Sequence, residues 1–178
     1  MGLDMMLHKT KKVDELTRED VITISNAVYT HVKSDEDLKS LNLAQITGIE
    51  AANEMIPAVK LRGEMFQYYS MLEEVGYWRK ANQIHAWFVE NVQDGNDDCE
   101  LYPVSKAKLE KLLGVCRLVL NNIDHAETLL PTRSGFFFGS TDYDEYYKQD
   151  VQDTVKILEE VLEKTDFDKE AIYYSSSW

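Results

Sequence analysis

Apolar residues recur at helical spacing in several stretches of the chain, separated by shorter aromatic or β-branched runs. After Thr17, the positions Val21, Ile24, Val28 and Val32 predict an amphipathic helix, with Thr17 as its N-cap and Asp20 in its first turn. Ser34 opens a second predicted helix, "SDEDLKSLNLAQIT". Its acidic first turn suits the helix dipole, and Gly48 would end it. From about Gly76 to Val92, the residues Trp78, Asn82, His85, Phe88 and Val92 fall on one helical strip, which Gly95 then breaks. Ser105 caps "KAKLEKLLGVCRLVLNN", where Leu109, Leu112, Leu113, Cys116, Val119 and Leu120 form a broad apolar face and place Cys116 in the core. Thr141 or Asp142 would cap the last long helix, with Tyr147, Val151, Val155, Leu158 and Leu162 turned inward.

Strand signals are shorter. Leu3 to Leu7 reads as a strand entering the core, and Ala171 to Ser175 as a final one. In "MFQYYSMLEEVGYW" the aromatic content favours a strand in the first half, in competition with an early start of the next helix. Asn53 to Gly63, with Pro57, predicts a connection holding a short strand or a helical turn. "LLPTRSGFFFGST" predicts a rigid loop around an aromatic plug or short strand. Together these give an α+β fold: about five helices packed on a small sheet of sequence-distant strands, in a single domain spanning 1–178. No internal repeat is visible.

Charge narrows the partners. A net charge of −13 and a pI near 4.7 argue against direct binding to nucleic acid or anionic membrane and favour a partner with a basic surface. No apolar stretch approaches the roughly 20 residues that cross a bilayer, and Met6 stands where a myristoylation signal has Ser or Thr. Cys99 and Cys116 are too few for a disulfide framework, which predicts reduced thiols in the cytosol.

Chemistry-bearing residues concentrate in two places. Arg79, Lys80, Asn82 and His85 lie within three helical turns beside Trp78 and run on toward Asp98. Asn82 and His85 share an inward strip, so their polar atoms need partners: a structural hydrogen-bond network, or a ligand. Arg133, Ser134 and Ser140 surround the Phe run before a helix start, where backbone amides attract anions. The acidic first turn and the missing phosphate-loop pattern favour a packing loop there. Tyr173 completes the ligand-binding candidates. Asp144, Asp150, Asp153, Glu159, Glu160 and Glu163 form an acidic stripe on the last helix, the candidate face for a basic protein partner. The four histidines, His8, His31, His85 and His125, include no ligand-spaced pair, and two aspartates precede Cys99. Neither a metal nor another cofactor is expected, nor metal- or thiol-dependent turnover.

"MGLDM", "GYWRKANQIHAWFVENVQDGNDDC", "LLPTRSGFFFGSTDYDEYY" and "YYSSSW" together resemble a family of small uncharacterised proteins encoded by bacteriophages and prophages. The resemblance covers both ends and everything from about Val75 onward, and leaves residues 14 to 70 as a possible elaboration of this member. It implies a phage origin and a location in the host cytoplasm, and it implies no activity. Three functions follow in order of preference. The first is a non-catalytic binder or inhibitor of a host protein, such as an antibacterial-defence factor. The second is a protein that binds a nucleotide-like small molecule, and the third is a small enzyme using His85 and Asp98.

Overall fold

The computed structural model describes residues 2–135 and 137–178, so Met1 of the first motif and Phe136 of the predicted aromatic plug lie outside the described residues. In chain order the first elements are β1 (Asp4–Lys11), α1 (Arg18–His31), α2 (Asp35–Lys39), α3 (Leu43–Thr47), a 3₁₀ helix (Glu50–Ala58), β2 (Lys60–Arg62) and β3 (Tyr68–Ser70). Then come β4 (Glu73–Arg79), α4 (Asn82–Asn91), β5 (Tyr102–Val104), α5 (Lys106–Asn121), a 3₁₀ turn (Ile123–His125), α6 (Ala126–Leu129), α7 (Glu145–Lys164) and β6 (Glu170–Ser177). The fold is α+β, with an antiparallel four-stranded sheet and a separate two-stranded one. Contacts gather into two compact units. The first contains the chain up to His8, Glu74–Thr165 and Ile172–Trp178, and the second Lys9–Glu73 with Asp166–Ala171.

The first unit is built on strands in the order β4-β1-β6-β5. Strand β1 alternates burial, and its core residues Met5 and Leu7, like Leu3 just before it, are fully buried. The Lys80 amide donates to the Leu3 carbonyl at 2.8 Å, and Gly76 sits against Leu7, so β4 descends as β1 ascends. A Cβ at Gly76 would meet Ile157 of α7 at 2.6 Å, so a glycine lets the helix lie close on this strand. Helices α5 and α7 pack on each other, and each buries an apolar face, Leu112, Cys116 and Val119 on α5 and Val151, Leu158 and Val161 on α7. The stretch from Gly76 to Arg79 is strand, and α4 starts only at Asn82: Gly76 and Trp78 are buried in strand alternation, and Lys80, at φ 62, turns the chain. The cap of α7 is Asp144, later than Thr141 or Asp142, because its carboxylate accepts from the amides of Tyr146 and Tyr147. The strand β5 has only three residues, with Pro103 exposed between half-buried Tyr102 and buried Val104, too short a run to stand out in the sequence.

The first helix of the second unit is α1, whose capping box is complete: Thr17 Oγ1 accepts from the Asp20 amide at 3.2 Å, and Asp20 accepts from the Thr17 amide at 2.9 Å. The predicted second helix is two short ones. Asn42 interrupts it by capping α3 through the Gln45 amide, and Gly48 ends α3 at φ 74. The Asn53–Gly63 connection contains both the helical turn and a strand, since β2 pairs with β3 in the register Leu61 opposite Tyr69. Gly63, at φ 84, turns this hairpin where a Cβ would strike the Phe66 carbonyl at 2.3 Å.

Candidate functional site

Helix α4 is buried nearly all round, from Asn82 to Val89, so its polar residues must be satisfied inside the protein. Asn82 is. Its Nδ2 donates to the carbonyls of Phe138 and Ser140 at 3.1 and 2.8 Å, and its Oδ1 accepts from the Arg133 amide at 2.9 Å. One side chain thereby ties down the loop that carries Arg133, Ser134 and Ser140, all three themselves exposed. Phe138 is the plug, buried and edge-on to His85 at 5.2 Å.

His85 lies one turn further along α4. Its Nε2 faces Asp97 Oδ2 at 3.0 Å, its Nδ1 meets the Tyr174 hydroxyl at 2.8 Å, and the Trp178 indole donates to Asp97 Oδ1 at 3.1 Å. Burial holds the imidazole below its ordinary pKa. Asp97 opposes this and Arg133 adds to it. Burial also lifts the Tyr174 phenol well above its ordinary range, so it remains a donor. A neutral imidazole facing a carboxylate at Nε2 carries its proton there, which leaves Nδ1 to accept from Tyr174. The chain Trp178–Asp97–His85–Tyr174 has the form of a relay, but its phenol and imidazole are wholly buried, and Tyr174 is stacked on Phe88 at 4.0 Å. It joins α4, the following loop and β6 as a structural network.

These contacts bring the middle motif and the C-terminal "YYSSSW" together. Asp98 does not pair with His85; it accepts from the Tyr102 hydroxyl at 2.7 Å and the Glu100 amide. Tyr173 alternates with Tyr174 and so faces the opposite side of β6. Trp78 points to α7, donating to Thr154 Oγ1 at 2.8 Å. Among the described residues no group of three or more His, Cys, Asp or Glu is placed to hold a metal ion. Burial pushes the Cys116 thiol up to about 12.

A cleft of about 370 Å³ beside the start of α4 unites Arg79, Lys80, Gln83, Ser140, Asp144 and Asp150, with Tyr146 and Tyr147 on its wall. Gln83 donates to Asp150 at 3.3 Å. Burial raises the Asp150 pKa against that bond, and Asp153 and Asp144 raise it further. Of the acidic residues expected to form a stripe on α7, Asp144, Glu159, Glu160 and Glu163 are exposed, and Asp150 and Asp153 are half-buried. Asp144 caps the helix and Asp150 faces this cleft. Asp153, Glu159 and Glu160 are matched by Lys156, Arg117 and Lys164 at 2.8, 2.7 and 2.5 Å.

Two features of the second unit escaped the sequence reading. The β2–β3 hairpin exposes Met65 and Phe66 at 85% and 82%, with Leu61, Tyr68 and Tyr29 also exposed. A cavity lined by Lys and Arg lies in the same unit. Comparison with protein-family models, curated proteins and solved structures finds no match for this chain.

Proposed function

We propose that the chain is a non-catalytic binding protein of phage origin that engages a host protein in the host cytoplasm, for example a component of antibacterial defence. The observation that carries this reading is the hairpin tip. Met65 and Phe66 sit almost bare in water beside exposed Leu61 and Tyr68, although the chain buries most of its large apolar residues. A contiguous apolar and aromatic patch of this kind suits a protein interface, where Phe, Tyr and Met are enriched and a few residues supply most of the affinity. The net charge of −13 favours a partner with a basic surface. No helix among the described residues is long and apolar enough to cross a membrane. The polar residues of α4 are engaged by the protein's own groups, which weighs against an enzyme built on His85.

The test places a photo-crosslinking amino acid at Phe66 and exposes the purified chain to host lysate. One discrete host protein should be captured, and the Met65→Asp/Phe66→Asp variant, folded by circular dichroism, should lose it. Crosslinks to none, or capture indifferent to these substitutions, would end the proposal. The cleft with Arg79, Lys80, Ser140 and Asp150 favours a second reading, a small ligand bearing both charged and aromatic groups. Mass spectrometry of molecules released on denaturation tests it, and a co-purified nucleotide-like compound lost on Arg79→Ala would support it.

A further inference from the structure

The patterns "KTK" at Lys9–Lys11 and "KLR" at Lys60–Arg62 each place two cations two residues apart, hence on one face of a strand. The second unit brings both pairs, with Lys169, to one cavity of about 330 Å³. Five of the chain's 19 Lys and Arg residues therefore line a single hollow in a protein of net charge −13, against only two carboxylates, Glu73 and Glu170. The carboxylates do not account for the cations. Lys9 takes both, at 3.9 and 3.5 Å, while Lys11 and Lys169 pair outside the cavity wall with Glu54 and Asp166. Among the described residues no carboxylate lies within ion-pair distance of Lys60 or Arg62.

Two of the residues around this cavity also carry a buried polar atom without a partner. Thr10 is 5% exposed and its hydroxyl bonds to nothing, and Arg62 Nε is sealed from water without an acceptor. Unmade bonds at buried groups are costly, and natural proteins keep few of them. Met71 and Pro57 supply an apolar part of the wall, which lowers the local screening of the cations.

We propose that this cavity is a binding site for a small phosphorylated polyanion. Guanidinium forks and lysine ammoniums are the groups that take phosphate oxygens. A single carboxylate ligand would leave most of the five cations uncompensated, whereas a phosphoanhydride chain carries several negative charges. The volume suits a small molecule.

Titration calorimetry of the full chain with inorganic triphosphate at low ionic strength tests the site. Binding should weaken about tenfold in Arg62→Gln and in Lys60→Gln, fall as salt is added, and be unchanged in Lys156→Gln, which lies in the other unit. A parallel titration with ATP separates sources, equal affinity pointing to the phosphate chain alone and tighter binding to a nucleotide. No heat up to millimolar triphosphate, or an affinity that Arg62→Gln and Lys60→Gln both leave intact, would overturn the assignment.

Discussion

Single side chains decide how the interior is closed, and Asn82 is the clearest of them. All three of its hydrogen bonds go to backbone groups of one loop, so Asn82→Ala would strand the Arg133 amide and two carbonyls at once. The expected cost is about 2–4 kcal/mol, measured by urea denaturation. A smaller loss would mean that water replaces the side chain. Histidine burial sets a second residue-level property. Burial lowers the His8 pKa from 6.5 to about 4, and that of His85 in the same direction. The unfolded chain takes up protons at these rings near their ordinary pKa, the folded chain only at lower pH, so acid favours unfolding. Stability should be whole above about pH 6.5 and fall as the pH drops toward 4. The His8 share is on the order of 2 kcal/mol once its partial contact with water is allowed for. Denaturation midpoints between pH 7 and 4.5 measure this, and His8→Gln should flatten the slope; an unchanged slope would assign the acid sensitivity elsewhere.

Elements with their own caps and a sustained apolar face were legible in the sequence: α1 with Thr17 and Asp20, α5 with Ser105, and the body of α7. Elements decided by tertiary contacts were not. Around Gly76 and Trp78 the local pattern suits either strand or helix, and pairing with β1 settles it as strand. The partners of His85 were half visible, since a buried imidazole announces its need for them but not that Asp97, Tyr174 and Trp178 supply the network. Lys9 and Lys11 lie beyond the predicted strand Leu3 to Leu7, and Lys60 and Arg62 in a connection left open between strand and turn, so nothing local says that these cations converge. The close approach of α7 to β4 is likewise tertiary, and it can be tested. Gly76→Ala would drive a methyl into Ile157, costing about 1–3 kcal/mol by overpacking. Ile157→Ala removes the obstructing methyl at a cost of its own. The double variant should therefore be less destabilised in thermal or urea unfolding than the two single losses combined. Strict additivity would show that the clash is not the cause.

At the scale of the whole molecule, the chain interrupts one antiparallel pair, β1 with β4, to build nearly all of a second compact unit before returning. The Lys80 amide bonds to the Leu3 carbonyl and Gly76 lies against Leu7, and the same antiparallel offset carried to the end of β1 would set Lys11 opposite Leu72. The two strands could thus be joined there by a two-residue Asn-Gly turn of the kind that closes antiparallel hairpins. A chain in which that turn replaces residues 12–71 retains all of α4, α5, α7 and β6, the Asn82 bonds and the Trp178–Asp97–His85–Tyr174 network. It should unfold cooperatively and keep the near-ultraviolet circular dichroism of Trp78, Trp87 and Trp178, all of which lie in the first unit. It should also lose triphosphate binding, because Lys60 and Arg62 are gone, and capture through Phe66, because the hairpin is gone. A shortened chain that instead shows no fixed tertiary signal and binds hydrophobic dye would mean that the first unit depends on the second for its packing. Retained triphosphate binding in a folded shortened chain would place that site elsewhere.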